Sequence, residues 1–467
     1  MFEFSYMYIV LELIILIMHV LLLNQILFNN DLIDQIILSL ATILVEFCVF
    51  SGLFFSIDIF SFKNVVLIQL IAIIIALLLV FALKAGKLSL HWKINYKGFA
   101  ISLIIVILCL PFVISKFELF GMGQDQGVYQ TEAIAIINGE SSILHDFNEY
   151  NVLDDEQKLE YQEKTDEIYT GFYEVDDAVL KYPTASEKTV KNPVEGWFHG
   201  THTFSAMLAF WGELFGMENM AQIQTLIWVC TVFLMSSIVR KLNGNYLENI
   251  FVTGLFAFSP LLIWIAKGTF TEMFLTLIIA LYIYGILDEK DEWLASVAII
   301  GFAFAHVSFF VLVPIFVLIQ TYLYVRTSRR VFLILNIING VALSSGYLVM
   351  ALIGPQYFFD NLDRMYISGI ISADNILLVL ILVAIGIVIF SLILFFFKTP
   401  EWMKKISTTQ NVQLYCRMAG IVCLFFILIY WYKIGILGTP ESTNFKEELQ
   451  TYWGDAWLSF LHLAITA

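Results

Sequence analysis

The amino-acid sequence predicts an all-α, polytopic membrane protein. Of its 467 residues, 60% are hydrophobic and only 14% are charged, and the mean hydropathy is +0.83. Soluble globular domains are about 45–50% apolar and about 25% charged, so this composition excludes them. A second observation is a series of roughly a dozen apolar runs, each near the ~20 residues that a helix needs to cross a bilayer. The third is that the charge is concentrated between two of these runs.

The segment 116–200 carries most of the acidic charge. It contains 18 Asp and Glu residues against 6 Lys, which accounts for 12 of the chain's 15 net negative charges. Such a segment is expected to lie in water, because charged side chains are costly inside hydrocarbon. Nucleic acid is excluded as a partner, since no basic face is available for its phosphates. The five cysteines lie in or beside apolar runs, so no disulfide framework is expected.

Basic residues set the predicted orientation of the helices. Cytoplasmic connections are enriched in Lys and Arg, and four lysines between residues 84 and 97 crowd the third connection. That connection is predicted to lie inside, so the fourth span exits outward and Asp125 is extracytoplasmic. Glu12 and Glu46 fall within spans, where a polar contact between packed helices is favoured over a proton relay. The first four spans are predicted near residues 6–28, 33–57, 65–83 and 99–114.

Two parts of the long acidic connection are predicted to be interfacial helices. Residues 127–138 are apolar enough for one, and residues 203–215 form a second that is too short to span comfortably. Between them, residues 154–167 are charged and helix-favouring, which indicates a solvated surface.

The later spans bring further polar residues to the face that carries Asp125. Arg240 and Lys241 are predicted to be inside, so the next span exits outward and delivers Lys267 and Glu272 to the outer face. The run 293–325 is predicted to be a tight pair of helices that meet near His306 and Pro314. The spans of this half are expected at residues 221–239, 246–265, 273–287, 331–353, 376–397 and 419–436, and the apolar end at Ala467 suggests a missing C-terminal part.

This topology gathers carboxylates, lysines and histidines from separate segments onto one face of the membrane. Group transfer from a phosphate-linked donor needs these types, a base for the acceptor and positive charge for the departing phosphate. The gathered residues are Asp125, His145, Asp146, Glu195, His199, His202, Lys267, Glu272 and His306.

Each main candidate also has a structural interpretation. Asp125 precedes a predicted helix and is a favoured N-cap, so its position alone leaves cap and catalyst equally open. The i,i+3 spacing of His199 and His202 suits a metal, but these residues could equally contact headgroups or cap a helix. Lys267 and Glu272 could be snorkelling residues at the interface. His306 could be a packing histidine.

Four short stretches within residues 99–330 together resemble a known family. They are Asp125-Gln126-Gly127-Val128-Tyr129 with Ala135 and Asn138-Gly139 following, Trp197-Phe198-His199-Gly200, Arg240-Lys241-Leu242-Asn243-Gly244, and Ser259-Pro260 through Trp264, Lys267 and Glu272. In this order they resemble the GT-C superfamily, the polyprenyl-phosphate-sugar-dependent membrane glycosyltransferases. The resemblance is to its dolichyl-phosphate-mannose or protein mannosyltransferase-like members of bacterial or archaeal type.

The resemblance implies an inverting hexosyl- or pentosyltransferase with its active site on the extracytoplasmic face of the plasma membrane. It implies a GT-C-like bundle whose catalytic core lies at 99–330 and includes the loop 116–200. The predicted transmembrane helices at 1–98 precede this core where many relatives have none, and further transmembrane helices are predicted at 331–467. The donor would be a polyprenyl-phosphate sugar, and the acceptor a glycan, lipid or protein. A divalent cation is a candidate cofactor, because some branches of the superfamily use one.

The same resemblance assigns roles to single residues. Asp125 and Glu272 are the implied catalytic carboxylates, with Asp125 as the general base. The implied substrate-binding residues are Tyr129, His199, Lys267 and His306, and the candidate metal ligands are Asp125, His199 and His202. The chain departs from the family pattern in having Lys267 where relatives commonly have Arg and His202 where they have Pro.

Two other functions remain open at the level of sequence. A polymerase or ligase of lipid-linked glycans would share the substrate but rely more on basic groups than on a carboxylate near the end of a span. A non-enzymatic transporter would show paired halves with interrupted helices near the membrane midplane, and no such repeat is visible in the sequence.

Overall fold

The computed structural model describes most of the first 408 residues. The described residues are 2–27, 31–84, 90, 92–117, 125–139, 144–146, 154, 157, 172–174, 195–198, 200–288, 291–354, 357–358, 373–397, 399–406 and 408. His199, the predicted span 419–436 and nearly all of the predicted surface 154–167 lie outside them.

The described chain is mostly helical, as predicted. Its helices are α1 (Phe2–Ile26), α2 (Leu32–Ser56), α3 (Phe62–Leu83), α4 (Tyr96–Ile114), α5 (Asp125–Ile137), α6 (His202–Phe215), a 3-10 helix (Met217–Gln222), α7 (Ile223–Lys241), α8 (Tyr246–Ala257), α9 (Pro260–Lys267), α10 (Thr271–Leu287), α11 (Glu292–Ala305), α12 (Ser308–Thr327), α13 (Val331–Ile353), α14 (Ala373–Phe396) and α15 (Glu401–Ile406).

Seven helices within the described residues are long and apolar enough to cross a membrane, which identifies a multi-pass membrane protein. A spanning helix needs about 20 mostly apolar residues. The seven are Tyr6–Ile26, Leu32–Ser56, Phe62–Leu83, Tyr96–Ile114, Met217–Lys241, Val331–Ile353 and Leu378–Phe396.

The span predicted at residues 246–265 is broken in two. α8 and α9 meet at an angle of 50° across the short link that contains Ser259. Pro260 is the first residue of α9, a position where its missing N–H costs nothing and its fixed φ suits the helix. The same ring prevents α8 from continuing straight into α9, because proline clashes with the preceding turn.

The predicted pair of helices within residues 293–325 is confirmed. α11 ends at Ala305, α12 begins at Ser308, and His306 lies between them. Pro314 lies inside α12 rather than at the junction. α10 and α11 are shorter than an ordinary span, with 17 and 14 residues.

A small antiparallel sheet in the acidic connection was not predicted. It comprises β1 (Leu144–Asp146), β2 (Phe172–Glu174) and β3 (Glu195–Phe198), with β3 in the middle. Each strand has only three or four residues, too few to show the alternating pattern that marks a strand in a sequence. β3 also contacts α5, so the sheet adjoins the first of the two predicted interfacial helices.

The bundle is built around α2 and α7. In the most apolar stretch of each, 61% and 72% of the residues are buried, against 22% for α1 and α3. α2 contacts α1, α3, α6, α7, α10, α11 and α13. His19 Nε2 lies 3.3 Å from Glu46 Oε2 and joins α1 to α2, in line with the polar helix contact expected for Glu46.

One end of the bundle, which we name the basic end, gathers the residues predicted to lie inside. Arg240 Nη2 donates to Asp34 Oδ1 at 2.6 Å, and Lys241 Nζ lies 2.8 Å from Asp288 Oδ2 and also pairs with Asp291. Asp31 caps α2 and accepts a hydrogen bond from the Asn95 N–H, which ties the start of α2 to the start of α4. The structure therefore brings together, at one end, the helix connections that the sequence assigned to the inside from their basic residues alone.

The chain divides into two compact units. The first comprises residues 1–320 and 331–393, and the second comprises residues 321–330 and 394–467. Every described candidate residue lies in the first unit. Within the second, Tyr324 donates from its hydroxyl to the Leu394 carbonyl at 3.0 Å. The three predicted parts, 1–98, 99–330 and 331–467, remain a prediction.

Candidate functional site

The end of the bundle opposite the basic end carries α5, and we name it the α5 end. α5 packs against α6, and both helices correspond to the predicted interfacial helices. Nine of the 13 residues of α5 are buried, so the helix is docked in the protein rather than lying free on a surface. Asp125 is its first residue and is exposed.

The link between α9 and α10 is fastened beneath the start of α5. Thr269 donates from its hydroxyl to the Gln126 carbonyl at 2.9 Å and accepts from Gln130 Nε2 at 3.1 Å. Gln224 on α7 donates from its Nε2 to the Phe270 carbonyl at 2.5 Å. These bonds fix the position of the first turn of α10, where Glu272 lies, relative to Asp125.

Gly268 allows this close approach. A Cβ at this position would lie 2.6 Å from the ring of Phe270 and 2.8 Å from Gln126 Oε1. Contacts this short are not tolerated without movement. The absence of a side chain therefore lets the link pass close under α5.

The structure brings Asp125 and Glu272 close enough for their charges to interact. The pKa of Glu272 is raised, first by desolvation and then by the charge of Asp125. Glu272 is nevertheless exposed. Two carboxylates this close disfavour each other's charged form, and such pairs are common where carboxylates act as acids and bases.

Lys267 lies at the end of α9, five residues before Glu272. Its Nζ is 4.7 Å from the centre of the Phe117 ring, and its carbonyl accepts from the Phe117 N–H at 3.0 Å. Beside it stands Lys116, whose Nζ donates to the Ala266 carbonyl at 2.7 Å. Burial and the charge of Lys267 lower the pKa of Lys116 to about 7.

Lys116 was not among the residues predicted from the sequence. It follows the apolar run of α4 and resembles any lysine that ends a span. Its similarity in position to Lys267 could have identified it, because each is a single lysine at the outer end of a predicted span.

Tyr129 is buried, with 3% of its surface exposed. Its ring packs edge-on against Phe204 at 5.6 Å, and a Cβ on Gly200 would lie 2.6 Å from it. Gly200 has φ +111°, a conformation that favours glycine, so the chain can fold over the ring. In this position Tyr129 joins α5 to α6.

His202 and Glu132 form a buried ion pair between α6 and α5. Burial alone opposes the charged ring, but Glu132 and the carbonyl of Ile353 outweigh it and raise the pKa of His202. Glu132 is seven residues, or two helical turns, beyond Asp125 on the same face of α5. Sequence reasoning missed Glu132, because its partner lies 70 residues away and on another helix.

His306 lies at the α5 end, where Ala305 accepts a hydrogen bond from the Thr201 hydroxyl at 3.0 Å. Its Nδ1 accepts from the Ser308 N–H at 3.1 Å, and its Nε2 is 3.3 Å from the Tyr357 hydroxyl. Burial lowers the pKa of His306 to about 4. The ring is therefore neutral near pH 7, with its proton on Nε2, and cannot supply a positive charge to a phosphate.

The candidate metal ligands are not all described. Among the described residues, no group of three or more His, Cys, Asp or Glu side chains is placed to hold a metal ion. Of the three candidates, His202 is paired with Glu132, Asp125 interacts with Glu272, and His199 lies outside the described residues. The backbone of β1 and β3 is described at His145, Asp146 and Glu195.

The chain was compared with known proteins in three ways. No family model, curated protein or solved structure matches it.

Proposed function

We propose that this protein is a membrane glycosyltransferase that moves a sugar from a polyprenyl-phosphate donor to an acceptor outside the cell. The observation that carries the proposal is the approach of Asp125 to Glu272 at the end of the bundle that also holds Lys267. These residues come from separate segments. Carboxylates and a lysine at the same end of the bundle are the groups that would supply the base and the positive charge for this reaction.

In the proposed mechanism Asp125 is the general base. It takes the proton of an acceptor hydroxyl while that oxygen attacks the anomeric carbon of the sugar. The bond from this carbon to the phosphate oxygen breaks, and the configuration inverts. Lys267 stabilises the negative charge that develops on the departing phosphate. His306 is neutral near pH 7, so its proposed part is limited to a hydrogen bond.

Glu272 tunes Asp125 in this mechanism. Burial and the charge of Asp125 raise the pKa of Glu272, so Glu272 takes up a proton more readily than an ordinary glutamate does. Its proposed role is to change the charge beside Asp125 as it gains or loses that proton. Tyr129 and the ion pair of His202 with Glu132 hold α5 in place rather than contact the sugar.

The proposal is tested by a transfer assay with purified protein and polyprenyl-phosphate sugars. General bases contribute about 10²- to 10⁴-fold in rate, so Asp125→Asn should lose activity on that scale. Glu272→Gln should lose less and should alter the dependence of activity on pH. Glu218→Gln is the matched control, because Glu218 is an exposed carboxylate in the neighbouring 3-10 helix. Normal turnover by Asp125→Asn would exclude Asp125 as the base.

The same assay with a chelator tests the metal. The candidate ligands are Asp125, His199 and His202, and activity that survives chelation would remove a divalent cation from the mechanism. A loss of activity that added Mg²⁺ or Mn²⁺ restores would retain it.

The transporter alternative has one feature in its favour, the broken span formed by α8 and α9. Transporters of the inverted-repeat type carry such breaks in pairs, at equivalent places in two halves. The described part of the chain contains a single bent pair of this kind. The break also starts α9, the helix that ends at Lys267 in the proposed site.

A further inference from the structure

We propose that Lys116 and Lys267 together form a binding site for the phosphate group of a membrane-embedded ligand. In the proposed transferase this is the donor phosphate, and that identification rests on the proposed function. The existence of the site rests on the structure around the two lysines.

The two lysines are held at one junction by reciprocal contacts. The end of α4 reaches α9 through the bond from Lys116 Nζ to the Ala266 carbonyl at 2.7 Å. α9 holds the chain after α4 through the bond from the Phe117 N–H to the Lys267 carbonyl at 3.0 Å. The Lys267 ammonium also stands over the Phe117 ring. Both side chains are half-buried, so their positions are restricted by protein.

The described residues leave the positive charge at this junction without an ion-pair partner. In the described part of the chain, neither lysine forms an ion pair with a carboxylate. The basic end differs, because Arg240 is paired with Asp34 there and Lys241 with Asp288 and Asp291. Two half-buried ammonium groups that repel each other form an arrangement that an anion stabilises. The lowered pKa of Lys116 is a consequence of burial first and of this repulsion second.

The surface beside the lysines suits an apolar chain. On α4, Phe112 and Ile114 are exposed just before Lys116, and on α9, Leu261 and Trp264 are exposed just before Lys267. In a membrane these side chains face lipid. A ligand with a hydrocarbon tail can lie along them and place its phosphate against the two ammonium groups. Lysine is a common partner of phosphate as a mobile point charge.

Binding is measured with the purified full chain in lipid nanodiscs, with no sugar transfer involved. The probes are a polyprenyl monophosphate, the corresponding uncharged polyprenol and inorganic phosphate. Lys116→Gln and Lys267→Gln should each weaken polyprenyl phosphate binding by about 10- to 100-fold, the range for a lost charge-assisted hydrogen bond. Lys116→Arg, which keeps the charge, should retain most of it.

Lys63→Gln is the matched control. Lys63 is an exposed lysine in the first turn of α3, whose neighbours Phe60 and Phe62 pack towards Phe55 on α2 and Phe210 on α6. This change should leave binding as it is. Thermal unfolding of each variant reports folding. Lys116→Gln loses the hydrogen bond to the Ala266 carbonyl, whereas Lys267→Gln keeps the backbone bond to Phe117 and should not lower the melting temperature.

The possible outcomes separate the sources of the phosphate. If the glutamine variants bind polyprenyl phosphate more weakly but bind polyprenol as before, the site is supported and is assigned to a lipid-linked phosphate. If their affinity for inorganic phosphate falls by the same factor as their affinity for polyprenyl phosphate, the site is supported and is assigned to the free anion. Unchanged binding in both glutamine variants, or an equal loss for polyprenol, would overturn it.

The failure of this site and the failure of the proposed function are distinguishable. If the protein transfers no sugar but its phosphate binding depends on the two lysines, the site is supported and the transferase function is rejected. If the protein transfers sugar but its phosphate binding does not depend on either lysine, the transferase function is supported and the site is rejected.

Discussion

Lys116 illustrates how its surroundings change the protonation of a lysine. Its side chain is half-buried beside Lys267. An ordinary lysine has a pKa near 10.4, so only about one in 2,500 is neutral at pH 7. For Lys116, with its pKa lowered to about 7, roughly half of the side chains are neutral at that pH. Only the neutral amine is nucleophilic.

Acylation of the purified protein should therefore show an unusual pH profile at Lys116. With an amine-reactive ester and mass spectrometry, the rate at Lys116 should level off above about pH 8, because most of its amine is already neutral. The rate for a short lysine peptide of ordinary pKa should continue to rise about tenfold per pH unit until about pH 10. Lys267→Gln should move the Lys116 plateau to higher pH, since a repelling charge is lost.

A profile for Lys116 that follows that of the lysine peptide would contradict the lowered pKa. Each rate is compared with the rate of the same amine at other pH values, so the different exposure of the two amines does not affect the test.

Single residues of the site were predictable where sequence position determines membrane side. Asp125, Lys267 and Glu272 were grouped because each follows or precedes a span of inferred direction, and the structure brings them to one end. Glu132 and Lys116 were missed, because their roles depend on which helices dock together. That docking is set by packing between distant segments, which the pattern of one helix does not contain.

At the scale of elements, the link between α9 and α10 determines how the site is assembled. It carries Thr269, which bonds to α5 through Gln126 and Gln130, and it leads directly into Glu272. The bend at Pro260 turns α9 away from the direction of α8. Lys267 thereby ends against Phe117, which follows α4.

Gly268→Ala should destabilise this link. The added methyl group would meet the Phe270 ring and Gln126 Oε1, and overpacking of this kind costs about 1–3 kcal/mol. We expect a lower melting temperature together with reduced transfer activity, because α5 and Glu272 are forced apart. Thermal unfolding of the purified protein and the transfer assay measure the two effects.

Gly254→Ala is the control for this substitution. Gly254 lies inside α8, and a Cβ there meets nothing within 4 Å. Alanine favours a helix over glycine by about 1 kcal/mol, so this variant should be as stable as the parent or more stable. Equal melting temperatures for the two variants would show that the link tolerates a side chain.

Element type and order could largely be predicted, but breaks and small strands could not. The long apolar runs gave α1 to α4, α7 and α13 within a few residues. The break between α8 and α9 was missed because both halves are apolar, and length alone favoured a single span. β1 to β3 pair across long stretches of chain, so no local pattern marks them.

At the scale of the whole molecule, charge separates the two ends of the bundle. The basic end holds Arg240, Lys241 and the start of α4, and the α5 end holds the candidate carboxylates. Both groupings follow from contacts within the protein. The excess of Lys and Arg in cytoplasmic connections predicts that the basic end faces the cytoplasm.

Labelling on either side of one helix tests this orientation. Glu218 precedes α7 at the α5 end, Leu242 follows it at the basic end, and both are exposed. In a variant whose five native cysteines are replaced by alanine, single cysteines at these positions react with a maleimide that cannot cross membranes. Glu218→Cys should be labelled in intact cells, and Leu242→Cys only after permeabilisation.

The reverse pattern would place the candidate carboxylates in the cytoplasm, where an acceptor outside the cell could not reach them. Labelling of both cysteines in intact cells would mean that α7 does not separate two compartments. Lys63→Cys, near the start of α3, provides an independent position at the α5 end and should behave as Glu218→Cys does. Agreement between these two positions, which lie on different helices, would establish the side of the membrane on which Asp125 lies.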